Sequence, residues 1–202
     1  MNKKIISIVL LLIMLVSTLA TTVNASESAK VFSNSQSAYY TNNGAYACSG
    51  FQTLGYSVTS SVGGITKADM LAWIGNTGNG YGMYVHTMGG SGYFNDYYGY
   101  SITSSEISGN WHFVYIDSGY SAATNALATA FHTTGYSNRC FLGWSSGVTT
   151  ANATSFNYYF WLQYVGYTSI HLAAVNAAAG VPGAGTTPIK LYGSTTYTGA
   201  AS

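Results

Sequence analysis

Residues 112–119 read His-Phe-Val-Tyr-Ile-Asp-Ser-Gly, a short apolar run that ends in polar residues and glycine. Such a run is typical of a strand that is buried on both faces of a sheet. Residues 121–134 follow with alanine, leucine and phenylalanine at helical spacing, and Gly135 closes that segment. A second apolar run begins at residue 139 and ends at Trp144. The pattern predicts a strand–helix–strand unit with parallel strands.

Alternation of the same kind extends to both sides of this unit. The predicted strands cover residues 30–33, 56–59, 81–85, 112–116, 139–144 and, as an edge strand, 189–192. The predicted helices cover residues 35–54, 121–134, 150–164 and 168–179, and a further short helix starts at Thr66. We therefore predict one α/β domain over residues 26–202, folded as a three-layer sandwich with a mainly parallel sheet.

Three details of this prediction concern segments between or beyond these elements. Thr66 and Asp69 have the spacing of an N-cap residue and a capping-box acid, so a helix is expected to start there. Residues 89–110 are rich in glycine, serine and tyrosine and are predicted to form a long loop. The residues after Gly193 are expected to form a loose tail.

Two strand ends carry the residues of the predicted site, because ligands of open parallel sheets gather at the carboxyl ends of the strands. Residues 85–89 read Val-His-Thr-Met-Gly, and residues 116–119 read Ile-Asp-Ser-Gly. With the apolar patterns at 127–131 and 141–144, these segments resemble the clan of cysteine peptidases that contains caspases, legumain, clostripain and gingipain. The resemblance is specific over residues 81–147 and implies a caspase-like fold.

The same resemblance shows two departures from the family. In the family one strand ends in a His-Gly pair, and the next ends in an acidic residue, a small residue and the nucleophilic cysteine. In this chain Met88 stands at the histidine position, since Gly89 follows it, and Gly119 stands at the cysteine position. Glycine cannot attack a substrate and a thioether cannot carry its proton. We expect a peptidase homologue without catalytic activity or cofactor, which binds a peptide or protein ligand.

His86 lies two residues before Met88 and points to the same face of an extended strand, within reach of Asp117. It is interpreted either as a displaced general base or as a hydrogen-bonded residue at the pocket rim. The second interpretation is favoured, because a base without a nucleophile accelerates little. Ser118 is expected to point away from Gly119, and Ser121 to be the N-cap of the next helix. The predicted pocket is lined by His86, Met88, Asp117, Ser118, Gly119, Ser121, Trp144 and Ser145.

A competing motif lies in residues 143–147, Gly-Trp-Ser-Ser-Gly, which match the nucleophile elbow of serine esterases. His171 lies downstream of Ser145, but Asp117 is the last acidic residue of the chain. The order serine, acid, histidine of that fold therefore cannot be completed. Two alternatives to an inactive homologue stay open: an active secreted hydrolase, either cysteine-peptidase-like or a serine hydrolase that uses Ser145 or Ser121, and a surface adhesion protein.

The composition restricts the class of partner. Only 5% of the residues are charged, with six lysines and arginines against five acids, and no basic stripe is present. Binding of a nucleic-acid backbone needs several cations, so this class of partner is excluded. The four histidines lack the spacing of metal ligands, and no metal site is expected.

The first 25 residues have the parts of a secretory signal: Lys3 and Lys4, an apolar run, and small residues up to Ala25. The apolar run is too short to span a bilayer, so we predict cleavage after Ala25. We expect a bacterial extracellular protein that meets the membrane only through this signal before cleavage. Cys48 and Cys140 are predicted to be two separate buried thiols.

Overall fold

The computed structural model of the protein describes residues 27–33, 38–75, 81–181 and 188–201. The predicted signal peptide, residues 1–25, lies outside these ranges, as do residues 35–37 at the start of the first predicted helix. Within the described ranges, no helix is long and apolar enough to cross a membrane.

A parallel sheet forms the centre of the molecule. The strands are Ser28–Ser33 (β1), Ser57–Val62 (β2), Tyr81–His86 (β3), Gly89–Gly90 (β4), Tyr93–Asn95 (β5), Ser101–Thr103 (β6), Trp111–Asp117 (β7), Cys140–Trp144 (β8) and Ile189–Gly193 (β9). Six of them form the main sheet in the order β2-β1-β3-β7-β8-β9, and only the β8–β9 pair of that sheet is antiparallel. The predicted fold class is thereby confirmed.

Helices cover both faces of this sheet. They are Ala38–Thr53 (α1), Lys67–Ile74 (α2), Ala126–Ala130 (α3), Thr150–Tyr159 (α4) and Ile170–Gly180 (α5), with a 3₁₀ turn at Ser104–Glu106 and a π-helical turn at Phe160–Tyr164. One apolar cluster joins α1, α4 and α5 to alternate sheet residues such as Tyr84 and Tyr115. A second cluster joins α2 and α3 to the opposite set, including Val85 and Ile116. All seven residues of β7 are buried, as expected for a strand covered on both faces.

The observed bounds differ from the predicted ones by one to three residues for most elements. The predicted capping box is confirmed, because Thr66 accepts from the backbone of Asp69 and the Asp69 carboxylate accepts from Thr66 N. The predicted helix 150–164 ends as an α-helix at Tyr159, and the π-helical turn continues it. A π-helical turn of this kind often lies near a functional site.

The prediction of a long loop over residues 89–110 is wrong. This segment contains a small antiparallel sheet, β4-β5-β6, followed by the 3₁₀ turn. Its strands are only two or three residues long, and Phe94 and Ile102 are the side chains that anchor them fully in the second apolar cluster. Two buried residues in so many glycines and serines give too short a pattern for strand prediction.

The prediction of a helix over residues 121–134 is also wrong in its first part. The helix starts only at Ala126, and Tyr120 has a left-handed backbone with φ of 63°. Ser121 is not its N-cap, because the Ser121 hydroxyl donates to Ile116 O at 2.7 Å and accepts from Trp144 N at 3.1 Å. These bonds fix residue 121 to two strand ends instead of to a helix terminus.

Both described ends of the chain meet at the turn over residues 54–57. Ser57 N donates to Glu27 O and Ala201 N donates to Leu54 O, each at 2.9 Å. The segment after Gly193 is therefore held in place, and the prediction of a loose tail is wrong.

The two cysteines are free thiols. Cys140 is fully buried, whereas Cys48 is only half-buried, so the predicted separate thiols differ in burial. Both contact the first apolar cluster.

Candidate functional site

The site lies at the carboxyl ends of β3 and β7. The register of the two parallel strands pairs His86 with Asp117, the last residue of each strand. His86 Nδ1 lies 2.5 Å from Asp117 Oδ2, and both side chains are buried. The sheet thus holds an imidazole and a carboxylate side by side at the carboxyl ends of its two central strands.

A set of neutral side-chain donors completes the surroundings of the Asp117 carboxylate, which is 2% exposed. They are Trp144 Nε1 at 2.6 Å, Tyr84 Oη at 2.7 Å, Asn157 Nδ2 at 2.8 Å, Tyr115 Oη at 3.3 Å and Asn43 Nδ2 at 3.5 Å. A buried carboxylate is costly unless its lone pairs are filled, and here donors reach both oxygens.

These contacts determine the ionisation of the site. Burial by itself raises the pKa of Asp117, but the charge and hydrogen bond of His86 and the hydrogen bonds of Tyr84 and Trp144 lower it, and the pKa lies below its ordinary value of 3.8. Burial, together with the negative charge of Asp117, raises the pKa of Tyr84 and Tyr115 well above 10. Asp117 is therefore ionised at neutral pH, and both phenols stay protonated as its donors.

Two residues of this network, Asn43 and Asn157, were not found from the sequence. Asn157 lies four residues after Ala153 and four before Trp161, whose Nε1 donates to Asn157 Oδ1 at 3.1 Å. Helical spacing therefore places this asparagine on the apolar face of α4, and Asn43 stands four residues before buried Ala47 on α1. A polar residue at helical spacing from apolar residues could have indicated that these asparagines face the core.

An open cavity of about 270 Å³ lies beside the His86–Asp117 pair. It is lined by His86, Thr87, Met88, Gly89, Asp117, Ser118, Gly119, Tyr120, Gly147, Val148, Thr150 and Ala153. Met88 and Gly119 therefore lie on one cavity, and the Met88 side chain is 68% exposed. A Cβ atom at Gly119 would meet only Gly147 Cα, at 3.7 Å, so the backbone leaves room there for a side chain.

Gly89 and Ser118 contact each other in the wall of this cavity. A Cβ atom at Gly89 would lie 2.6 Å from Ser118 Oγ and 2.8 Å from Phe94 Cα, so only glycine fits. The Ser118 hydroxyl is buried and has no hydrogen-bond partner among the described residues. The Ser118 side chain, which is expected from the sequence to point away from Gly119, lies against Gly89 in the cavity wall.

Three residues of the predicted pocket do not line the cavity. Trp144 is fully buried on the face of the sheet that carries Asp117, and its Nε1 donates to Asp117 Oδ1, so it supports the carboxylate instead of lining the cavity. The hydroxyls of Ser121 and Ser145 donate to the backbone carbonyls of Ile116 and Pro188, so each is committed to the fold. The pocket prediction is wrong at these three positions.

The cavity has little charge. No lysine or arginine lines it, and within the part of the chain that the structure describes no cluster of three His, Cys, Asp or Glu side chains fits a metal ion. The chemistry of the site is thus that of a hydrogen-bonding cleft beside a buried histidine–carboxylate pair.

No protein-family model and no curated protein sequence matches the chain. Among solved structures, the chain is similar to the crystal structure of caspase-1 from Spodoptera frugiperda, with a TM-score of 0.55 and 10% sequence identity. The alignment covers 83% of this chain and 86% of that chain. At this identity the similarity establishes the fold, and the chain has a caspase-like α/β fold.

Proposed function

We propose that the chain is an exported, catalytically inactive caspase-like protein that binds a peptide segment of a partner in the cleft beside His86 and Asp117. The observation that carries the proposal is that Met88 and Gly119, which stand at the histidine and cysteine positions of the resembled family, line one open cavity. The cleft is kept, while the two groups that would perform covalent catalysis are absent from these positions.

The remaining chemistry of the cleft favours binding over cleavage. His86 is nearly fully buried, and its Nδ1 is directed at Asp117 instead of at the cavity. The hydroxyl of Ser121 is buried in a backbone contact, and that of Ser145 donates its proton to Pro188 O. A nucleophile needs a base to accept that proton, and a carbonyl oxygen in an amide does not act as one.

Export is the second part of the proposal. It rests on the basic, apolar and small-residue segments that precede residue 26, together with a domain in which only 5% of residues are charged. Residues Lys3 and Lys4 would leave with the signal, so that the exported chain would carry a formal charge of −1. N-terminal sequencing of protein recovered from culture medium tests this part, and a chain that begins at Met1 would contradict it.

Inactivity is tested by incubating the purified chain with a fluorogenic peptide library, a thiol-directed probe and a serine-directed fluorophosphonate. We expect no turnover, no fluorophosphonate label, and only slow thiol labelling at Cys48, which is half-buried. Clear turnover, or a fluorophosphonate adduct on Ser145 or Ser121, would overturn the proposal of an inactive protein.

The positions themselves are tested by restoring the family residues. Gly119→Cys places a thiol where the backbone leaves room, and Met88→His adds an imidazole on the same cavity. We expect the double variant to react with the thiol probe about 10²-fold faster than Gly119→Cys alone, since a general base contributes at least that much. Equal reactivity of the single and double variants would contradict the assignment of Met88 and Gly119 to these positions.

A further inference from the structure

A second cavity adjoins the first across two shared residues. It measures about 220 Å³ and is lined by Thr87, Met88, Asn95, Asp96, Tyr97, Tyr98 and Gly99. Thr87 and Met88 belong to both cavities. The two cavities therefore adjoin at the exposed Met88 side chain, and we call them together the groove.

The outer wall of the second cavity is a rigid turn built around Asp96, which is 3% exposed. Asp96 Oδ1 accepts from the backbone N–H groups of Tyr98 and Tyr100, and Oδ2 accepts from Lys67 N at 2.8 Å. Asn95 N donates to Met88 O, also at 2.8 Å. This turn is fixed before any ligand arrives, and preorganisation lowers the entropy cost of binding.

Neither cavity offers an unmatched charge to a ligand. No lysine or arginine lines either one, the Asp117 oxygens are filled by His86, Tyr84, Trp144 and Asn157, and Asp96 is filled by backbone donors. A charged ligand side chain would lose its hydration here without gaining a counter-charge. The groove is thus complementary to uncharged groups.

An exposed tyrosine lines each of the two cavities. Tyr98 is 60% exposed at the second cavity, and Tyr120, beside Gly119, is half-exposed at the first. Tyrosine gives a large contact area with little loss of side-chain entropy, and it is enriched in surfaces that bind peptides and proteins.

We propose that the groove binds an uncharged, extended peptide segment that crosses Met88 and places one side chain in each cavity. Alternate side chains of an extended chain lie on one face, about 6.6 Å apart, so residues i and i+2 of the ligand fill the two cavities. Each cavity is smaller than a pocket for a drug-sized molecule, and it suits one side chain. This inference rests on the proposed peptide-binding function and adds the charge and the spacing of the ligand.

The test is selection of random seven-residue peptides by display on the immobilised chain, followed by affinity measurements on an enriched peptide. We expect enriched peptides to carry two uncharged side chains two positions apart, with Lys, Arg, Asp and Glu depleted at both. Gly119→Trp, which fills the first cavity, and Tyr98→Ala, which opens the second, should each weaken binding about tenfold or more. Tyr167→Ala is the matched control, because Tyr167 is 83% exposed and lines neither cavity.

The outcomes separate this inference from the proposed function. Enrichment of charged side chains at the two positions, or unchanged affinity of Tyr98→Ala where Gly119→Trp abolishes binding, would overturn the two-cavity ligand and leave peptide binding intact. An equal loss of affinity in the control variant Tyr167→Ala would also overturn the two-cavity ligand. Saturable binding of cellohexaose with no enriched peptide would overturn both proposals in favour of a neutral glycan.

Discussion

Replacing Asp117 with asparagine removes the carboxylate charge that faces His86 in the buried network. One carboxylate oxygen becomes an NH₂ group, which then faces either Trp144 Nε1 at the Oδ1 position or Asn157 Nδ2 at the Oδ2 position, and both of these groups can only donate. Donors that face donors cannot form hydrogen bonds, and the imidazole of His86 loses its carboxylate partner. The change therefore perturbs several contacts without altering the size of the side chain.

The expected loss of stability is large for a single isosteric change. Removing the carboxylate from this buried salt-bridge contact and from its five neutral donors should cost about 3–5 kcal/mol, the range for breaking a buried salt bridge. The free energy of unfolding of a natural domain is about 5–15 kcal/mol, so Asp117→Asn should lose a substantial share of it. With a urea m-value of about 2 kcal/mol per molar, the midpoint of unfolding should fall by about 1.5–2.5 M.

Urea unfolding followed by tryptophan fluorescence measures this shift, and Glu106→Gln is the matched control. Glu106 lies in a solvated pair with Lys67 at 2.6 Å, and such pairs contribute little to stability, while the glutamine oxygen can still accept from Thr103 N. The control should therefore unfold at the wild-type midpoint. A midpoint of Asp117→Asn that equals that of the control would refute the view that the Asp117 network stabilises the site.

The pH dependence of unfolding tests independently whether ionised Asp117 stabilises the folded protein. The pKa of Asp117 in the folded protein lies below 3.8, so near that pH the unfolded chain binds more protons than the folded one. The stability that Asp117 contributes is therefore complete above its ordinary pKa and is lost as the pH falls through the folded pKa. We expect the difference between wild type and Asp117→Asn to shrink on acidification below about pH 4. A difference that grows on acidification would contradict this sign.

Three further predictions concern side chains around the same strand ends. Ser118→Ala should leave the urea midpoint unchanged or raise it, because it removes a buried hydroxyl without a partner among the described residues. Ser121→Ala should lower the free energy of unfolding by about 1–3 kcal/mol, because it removes the two hydrogen bonds of the Ser121 hydroxyl. The reverse order would show that the Ser118 hydroxyl is satisfied. Gly89→Ala should destabilise the chain by about 1–3 kcal/mol, since the added Cβ overlaps the backbone of Phe94, and a wild-type midpoint would contradict this contact. Burial raises the pKa of both thiols, and Cys140 is fully buried whereas Cys48 is half-buried. A disulfide reagent should therefore modify Cys48 slowly and Cys140 only after unfolding. Rapid labelling of native Cys140 would contradict its burial.

The positions of His86 and Asp117 could be predicted because each follows a recognisable apolar run. A parallel sheet places the carboxyl ends of its strands at one edge, and the alternation of side chains fixes which residues share a face. The same rule, applied to β8, places Trp144 on the face of Asp117, where its indole donates to the carboxylate but does not line the cavity. A position on this face at a strand end is therefore not sufficient for lining the cavity, because the Trp144 side chain is fully buried.

The donors from the helices could not be derived in the same way. Asn43 and Asn157 stand in apolar helical stripes, but which polar residue of a helix turns inward depends on how the helix packs on the sheet. Thr129 and other polar residues of predicted helices have no comparable role in the network. The late start of α3 likewise depends on the contacts of Ser121 with two strand ends, which lie far apart in the sequence.

The meeting of both described ends at the turn over residues 54–57 has a consequence for engineering the protein. Ends that are tied to the same turn can be joined by a short linker without stretching the sheet, and the chain can be opened elsewhere. The exposed residues 135–138, which precede β8, are a suitable place for new termini. A circular permutant of this design would keep β1 between its two neighbours and leave the groove around Met88 free of any fusion partner.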